Sequence, residues 1–154
     1  RVGLLNNGTE ETKGDSLRKE AFELLKDSGL NFIGNIEARD MPKGGFDAVI
    51  TDGFSGNIAL KAMEGTALMM FSELKKAFYS SFKNKLAAAV LKKDLYKIKK
   101  MMDSSEVGGA PLLGVKKPVI KAHGSSDEKA IMNAVRQAIA FTENDIIGKI
   151  SDNI

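Results

Sequence analysis

Phe46-Asp47-Ala48-Val49-Ile50-Thr51-Asp52-Gly53-Phe54-Ser55-Gly56-Asn57 is an apolar run that passes through a glycine-bearing turn into a helical pattern. Its first six residues read as a buried strand. From Asn57 onward the apolar positions Ile58, Leu60, Ala62, Met63, Ala67, Leu68, Met70, Phe71, Leu74 and Phe78 take helical spacing. They form one broad face of a helix of about five turns at 3.6 residues per turn. A strand-to-helix turn of this kind offers unpaired backbone N–H groups at a helix N-terminus, where an anion is favoured. Ser55 and Asn57 add polar side chains at the same place. An ordinary strand–helix connection is the plain alternative, since short glycine motifs are weak signals.

Outward from that stretch, Val2 to Leu5 is a short strand ended by Asn6-Asn7-Gly8-Thr9. Asp15 or Ser16 caps a helix carrying Leu17, Ala21, Leu24 and Leu25, and Ser28-Gly29 ends it. Leu30 to Gly34 is a second strand, and Phe46 to Thr51 a third after the turn-rich Met41-Pro42-Lys43-Gly44-Gly45. Beyond the long helix, Ser80-Ser81 interrupts the pattern. Phe82 to Leu91 and Asp94 to Met102 then read as two short helices. Gly108-Gly109-Ala110-Pro111 and Gly114 bracket a short strand or hairpin, and Pro118 to Ala122 is a last strand. Ser125 or Ser126 caps a terminal helix with Ala130, Ile131, Ala134, Val135, Ala138 and Phe141 on its apolar face. Strands separated by helices or long crossovers predict a mainly parallel sheet with helices on both faces. The expected organisation is a single α/β domain over 1–154, with a helical hairpin at 78–102.

The 154 residues suit one domain with a real core. With no cysteine, thiol nucleophiles, thiolate metal sites and disulfides are excluded. A net charge of +3 does not call for nucleic acid and is compatible with an acidic partner. No apolar run approaches the roughly 20 residues of a membrane span. The chain opens on Arg1-Val2-Gly3-Leu4-Leu5, inside an expected strand and without an initiator Met. It therefore reads as a fragment, with the earlier part of the polypeptide removed, absent or carried on another chain.

In open parallel sheets ligands bind beyond the carboxyl ends of the strands. Three strand ends carry polar loops with glycines: Leu5 to Gly14, Asp52 to Asn57, and His123-Gly124-Ser125-Ser126-Asp127. If the strands are parallel, all three share one sheet edge. Lys13 is a cation on a long stem, suited to phosphate or a developing oxyanion; a solvated surface lysine is its bland reading. Glu10 and Glu11 read as a general-base pair or as solvated carboxylates near a helix start. His123, the only histidine, reads as a structural hydrogen-bonder or a direct participant. One histidine, no cysteine and scattered carboxylates cannot assemble a zinc site; oxygen-ligated Mg²⁺ stays open, and no metal ligand is assigned.

Leu4 to Gly14, Phe32 to Asp40, Asp52 to Lys61 and Lys121 to Asp127 together resemble the PlsX family, in order and over nearly the whole chain. The match covers the C-terminal part of that family's chain. Asn7 stands where the family pattern has an aliphatic residue. The resemblance implies transfer of a fatty acyl group from acyl carrier protein to inorganic phosphate, giving acyl phosphate for phospholipid synthesis. No cofactor is implied beyond the phosphopantetheine arm that carries the thioester. It further implies a homodimer with an isocitrate/isopropylmalate-dehydrogenase-like three-layer α/β/α fold, in a cytoplasmic, peripherally membrane-associated enzyme. Lys13 and Asn57 fall at the family's catalytic Lys and Asn, and His123 is the third catalytic candidate. Asn6, Gly8, Gly53, Ser55, Gly56, Gly124 and Ser125 are the expected phosphate- or substrate-binding positions. The chemistry is consistent: phosphate is already a nucleophile, so the task is positioning plus oxyanion stabilisation.

Phe82, Leu86, Ala89 and Val90 share one helical face, amid Lys83, Lys85, Lys92, Lys93, Lys97, Lys99 and Lys100 with a single acid, Asp94. A basic amphipathic helix reads as a membrane-surface or acidic-partner element, or else as a dimer-interface helix with a solvated lysine face. The resemblance favours Phe82, Leu86, Val90, Lys92 and Lys93 as contacts to the carrier protein or an anionic membrane. A phosphotransacetylase acting on a coenzyme A thioester, and a non-catalytic membrane- or carrier-binding fragment, are the competing readings.

Overall fold

The computed structural model describes residues 1–153; Ile154, with which the expected domain ends, lies outside the described residues. The residues group into two compact units, Arg1–Leu68 and Met69–Ile154.

In the first unit β1 (Val2–Asn6) lies between β2 (Phe32–Glu37) and β3 (Ala48–Ile50), parallel to both. The crossover from β1 to β2 contains α1 (Ser16–Lys26); the one from β2 to β3 contains a 3₁₀ turn at Ala38–Lys43. The central strand is covered: Leu4 and Leu5 are buried with Phe22 of α1 and Ile36 of β2. Phe22 meets Phe32 edge to face, with ring centroids 5.2 Å apart. Gly3 is required by this packing, because a Cβ there would lie 2.8 Å from Ile36 Cγ2. A register irregularity separates the Val2↔Phe32 and Leu4↔Asn35 pairs, and Gly34 takes a φ of +93° beside it. The strand expected to be buried, β3, has one strand neighbour and keeps Ile50 37% exposed. Its apolar sequence reflects the strand pattern, while α1 packs on β1 and β2 rather than on β3.

The long helix, α2 (Gly53–Tyr79), has 27 residues, about seven and a half turns rather than five. It starts at Gly53 because the Asp52 carboxylate caps its first turn. Its apolar residues are largely uncovered: Ile58, Leu60, Leu68, Met69 and Met70 are all exposed, and Ala67 alone of the described helix is buried.

In the second unit α3 (Phe82–Met101) is one continuous helix where two short ones were expected. Lys92-Lys93-Asp94 contains no breaker, and Lys97 pairs with Asp94 at i, i+3. The Ser80-Ser81 interruption is present. Ser81 Oγ accepts from the Asn84 amide at 3.2 Å, and Asn84 Nδ2 reaches back to the Ala77 carbonyl at 3.0 Å. A 3₁₀ turn at Ser104–Glu106 leads to β4 (Ala110–Pro111), which pairs antiparallel with β5 (Ile120–Lys121). The expected last strand therefore belongs to a two-stranded ribbon and not to the parallel sheet. α4 (Glu128–Glu143) follows, then α5 (Ile146–Ser151). Asp127, rather than Ser125 or Ser126, caps α4 by accepting from the Ala130 amide at 2.8 Å. Ala130 and Ala134 are the buried residues of α4, and the chain at Gly108 packs directly on them.

Candidate active site

The loops after β1 and β3 leave neighbouring parallel strands of the first unit and so open at the same sheet edge. The first loop is held by two buried asparagines, Asn6 at the end of β1 and Asn35 within β2. Asn6 Nδ2 donates to the Lys13 carbonyl at 3.1 Å, and Asn6 Oδ1 accepts from the Asn7 amide at 2.8 Å. Asn7 itself is exposed, so the polar residue there occupies solvent rather than core. Asn35 Nδ2 donates to the Glu10 carbonyl at 2.9 Å, and the Lys13 amide donates to the same carbonyl at 3.0 Å. Asn6 was expected to bind substrate; the structure gives its amide a backbone-holding task. Asn35 was not singled out at all. Its signal was a lone polar residue in an apolar strand, where burial without a partner is costly.

Lys13 is exposed, and its ammonium makes no ion pair among the described residues. Its stem folds over Gly8, where a Cβ would lie 2.9 Å from Lys13 Cγ and 2.8 Å from Glu10 Oε2. Gly8 thus makes room for the lysine stem. Gly14 takes a φ of +93°, and a Cβ there would meet Asn6 Oδ1 at 2.8 Å and Arg18 Cβ at 2.7 Å. Glu10 and Glu11 are exposed; Glu11 lies 3.7 Å from Lys26.

The turn before α2 carries its own anion. Asp52 Oδ1 accepts from the amides of Phe54 at 3.0 Å and Ser55 at 2.9 Å, while the Gly56 amide donates to the Asp52 carbonyl at 3.0 Å. The amide and hydroxyl of Ser55, the Phe54 amide and the Arg18 guanidinium together hold the Asp52 carboxyl below the usual carboxylate range. The N-terminal positive pole expected to seat an external anion is therefore already neutralised in part by Asp52. Ser55 Oγ accepts from Arg18 at 2.5 Å. Gly56 sits tight on the strand end, with Thr51 Cγ2 2.6 Å from where its Cβ would be. Asn57 is exposed and donates one amide hydrogen to the Gly53 carbonyl at 2.8 Å, leaving its second hydrogen and its oxygen for other partners.

The third loop lies in the second unit, after β5. Strand pairing places it beyond an antiparallel ribbon, so the expectation of three loops on one edge of one parallel sheet is corrected to two. Within this loop His123 Nδ1 lies 2.7 Å from Ser125 Oγ and accepts from the Ser125 amide at 3.2 Å. In the neutral ring that arrangement puts the proton on Nε2, which makes His123 a donor there. His123, Gly124 and Ser125 are all exposed. On α3, Phe82, Leu86 and Val90 are 75%, 55% and 82% exposed, beside Lys92 and Lys93. The half-covered residues of that helix, Ala88 and Leu95, lie on its other side at 100° per residue. Among the described residues no group of three metal-ligating side chains converges, and no helix is long and apolar enough to cross a membrane.

A family model described as "Fatty acid synthesis protein" matches residues 1–149. A protein of Geobacillus sp. (strain WCH70) named "Phosphate acyltransferase" is 58% identical over 154 residues, covering 100% of this chain and 47% of its own. One of the same name from Geobacillus thermodenitrificans (strain NG80-2) is 59% identical over 150 residues, 97% of this chain and 46% of its own. Another from Bacillus pumilus (strain SAFR-032) is 56% identical over 154 residues, 100% of this chain and 46% of its own. The chain spans about half the length of these curated relatives.

Proposed function

Since the chain belongs to the fatty acid synthesis protein family, the PlsX family that its four motifs resemble, we propose that it is the acid-anhydride-forming half of an acyl-[acyl-carrier-protein]:phosphate acyltransferase. A phosphate oxygen attacks the thioester carbonyl carbon of a fatty acyl group. The tetrahedral centre collapses with cleavage of the C–S bond, giving acyl phosphate and the thiolate of the carrier's phosphopantetheine arm. No cofactor takes part beyond that arm.

The observation that carries this reading is the Lys13 ammonium, without an ion pair among the described residues, on a loop fixed by buried Asn6 and Asn35 and lying at the sheet edge where the Asn57 turn also opens. Lys13 neutralises phosphate or the oxyanion, and Asn57 gives its remaining amide hydrogen to the same centre. Asp52 occupies the amides of Phe54 and Ser55 and draws on the Ser55 hydroxyl, so the turn's remaining donors for phosphate are Gly53 N–H and Asn57, with Gly8 and Gly56 keeping the two loops in place. His123, with Nε2 as donor and Gly124 and Ser125 beside it, is the anion-binding candidate of the second unit. The parallel order β2-β1-β3 with its helical crossover supports a dehydrogenase-like three-layer fold for the whole enzyme.

The exposed apolar length of α2 supports a homodimer, and the exposed Phe82-Leu86-Val90 face with Lys92 and Lys93 supports docking to an acidic carrier protein or an anionic membrane in the cytoplasm. The basic helix also favours a carrier-bound thioester over a coenzyme A thioester. The test is phosphate-dependent release of free carrier from long-chain acyl carrier protein by the full-length enzyme, with acyl-coenzyme A as the competing substrate. Turnover of the coenzyme A thioester alone would replace the proposal with a phosphotransacetylase, and no turnover of either would leave a binding module.

A further inference from the structure

We propose that Arg18 is a positioning residue of this site: its guanidinium fastens the Lys13 loop to the Ser55–Asn57 turn and sets the spacing between the two groups that hold phosphate. The inference rests on the acyltransferase reading and names a residue to which that reading gives no role. Arg18 Nη1 donates to Asp15 Oδ2 at 2.7 Å, while Nη2 donates both to Asp52 Oδ2 and, at 2.5 Å, to Ser55 Oγ. Asp15 is the cap of α1, two residues after Lys13, and its Oδ1 accepts from the Arg18 amide at 3.0 Å. Asp52 caps α2 and Ser55 lies in its first turn, two residues before Asn57. One planar side chain, 18% exposed, thus spans both loops.

The chemistry favours arginine here. A guanidinium presents its donors in a fixed fork and bonds two carboxylates and a hydroxyl at once, whereas a lysine ammonium is a point charge on a flexible stem. The stem of Arg18 is placed as tightly as its head, since Gly14 at a φ of +93° brings the backbone against both Arg18 Cβ and the Asn6 amide. Arg18 is consumed by these partners and holds no charge in reserve for phosphate: Asp15 and Asp52 flank it, and both pairings favour its protonated form. Its effect on an anion passes through Ser55 and through the location of the turn.

The test is steady-state kinetics of full-length Arg18→Lys, Arg18→Ala and Lys13→Ala enzymes on long-chain acyl carrier protein, varying phosphate and carrier separately, with melting temperatures alongside. A misplacement of about 1 Å costs on the order of 10²-fold in rate. The expected result is therefore a loss of that order in kcat/KM for phosphate in Arg18→Lys, with KM for the acyl carrier protein unchanged and the fold retained. Added guanidinium ion should restore part of the loss in Arg18→Ala. Equal losses toward both substrates that track a lowered melting temperature would overturn the inference by making Arg18 merely structural. So would parent-like kinetics in Arg18→Lys beside an inactive Lys13→Ala, a result that leaves the acyltransferase reading standing. A parent enzyme with no phosphate-dependent release would instead remove the reading on which the inference rests.

Discussion

Asp52 accepts from the amides of Phe54 and Ser55 and is the resident anion of its own turn. The turn it opens has the amides of an anion seat, and the chain fills that seat with its own carboxylate. Depressed carboxyls stabilise the fold above the ordinary carboxylate value of about 3.9 and lose that contribution as pH falls through the lowered folded-state value. Asp52 is held down first by the Ser55 amide, and Asp15 first by the Arg18 amide, so both contribute in this direction. Melting temperature of the parent should therefore fall as pH drops from about 5 to 2, and Asp52→Asn should flatten part of that acid limb. An unchanged limb would show that the Asp52 cap does not persist in solution. The buried Asn6 makes a second prediction at this scale. Asn6→Ala leaves the Lys13 carbonyl without its side-chain partner and should cost about 1–3 kcal/mol in chemical denaturation. Neither asparagine task was legible in the sequence beyond the oddity of a polar residue in a strand, because a hydrogen bond across a loop is fixed by tertiary geometry that spacing does not encode.

Among elements, those with strong local signals were the most readable. The α1 cap at Asp15, the strand–turn–helix at Asp52 and the break at Ser80-Ser81 follow from side chains that bond their own backbone within four residues. Pairing was the part that failed. Pro118 to Ala122 is apolar enough for a sheet strand, yet the register Ala110↔Lys121 and Pro111↔Ile120 puts it in an antiparallel ribbon. Nothing in a five-residue apolar run states which strand it pairs with. The single helix α3, read as two, shows the converse: lysine clusters look like a boundary but are good helix formers. Gly108 makes a prediction at this scale. It takes a φ of +87°, and a Cβ there would lie 2.5 Å from the Ala130 carbonyl oxygen and the Ala134 amide. Gly108→Ala should destabilise the second unit by more than the 1–3 kcal/mol of ordinary overpacking. Hydrogen exchange should accelerate in α4, which also holds this segment through Asn133 to the Ser105 carbonyl and Gln137 to the Val107 carbonyl. Leu86→Glu on α3 is the matching functional probe: flotation with anionic vesicles should drop against the parent, and unchanged flotation would count against lipid contact through this face.

For the whole molecule, the sequence carried more about chemistry than about assembly. Four ordered motifs led to the family, and the family match over residues 1–149 agrees with them. Composition could not say which apolar surface stays open, and α2 keeps Leu68 73% and Met69 61% exposed along a helix that hydropathy alone would bury. The central claim is that the Lys13 loop and the Asn57 turn form the phosphate end of an acyl-transfer site. The most direct test is formation of acyl phosphate by phosphorus NMR, with full-length enzyme, long-chain acyl carrier protein and inorganic phosphate, for the parent, Lys13→Ala and Asn57→Ala. Acyl phosphate should form with the parent only when phosphate is present, and its rate should fall about 10²–10³-fold in each variant. Parent-like rates in either variant would contradict the account.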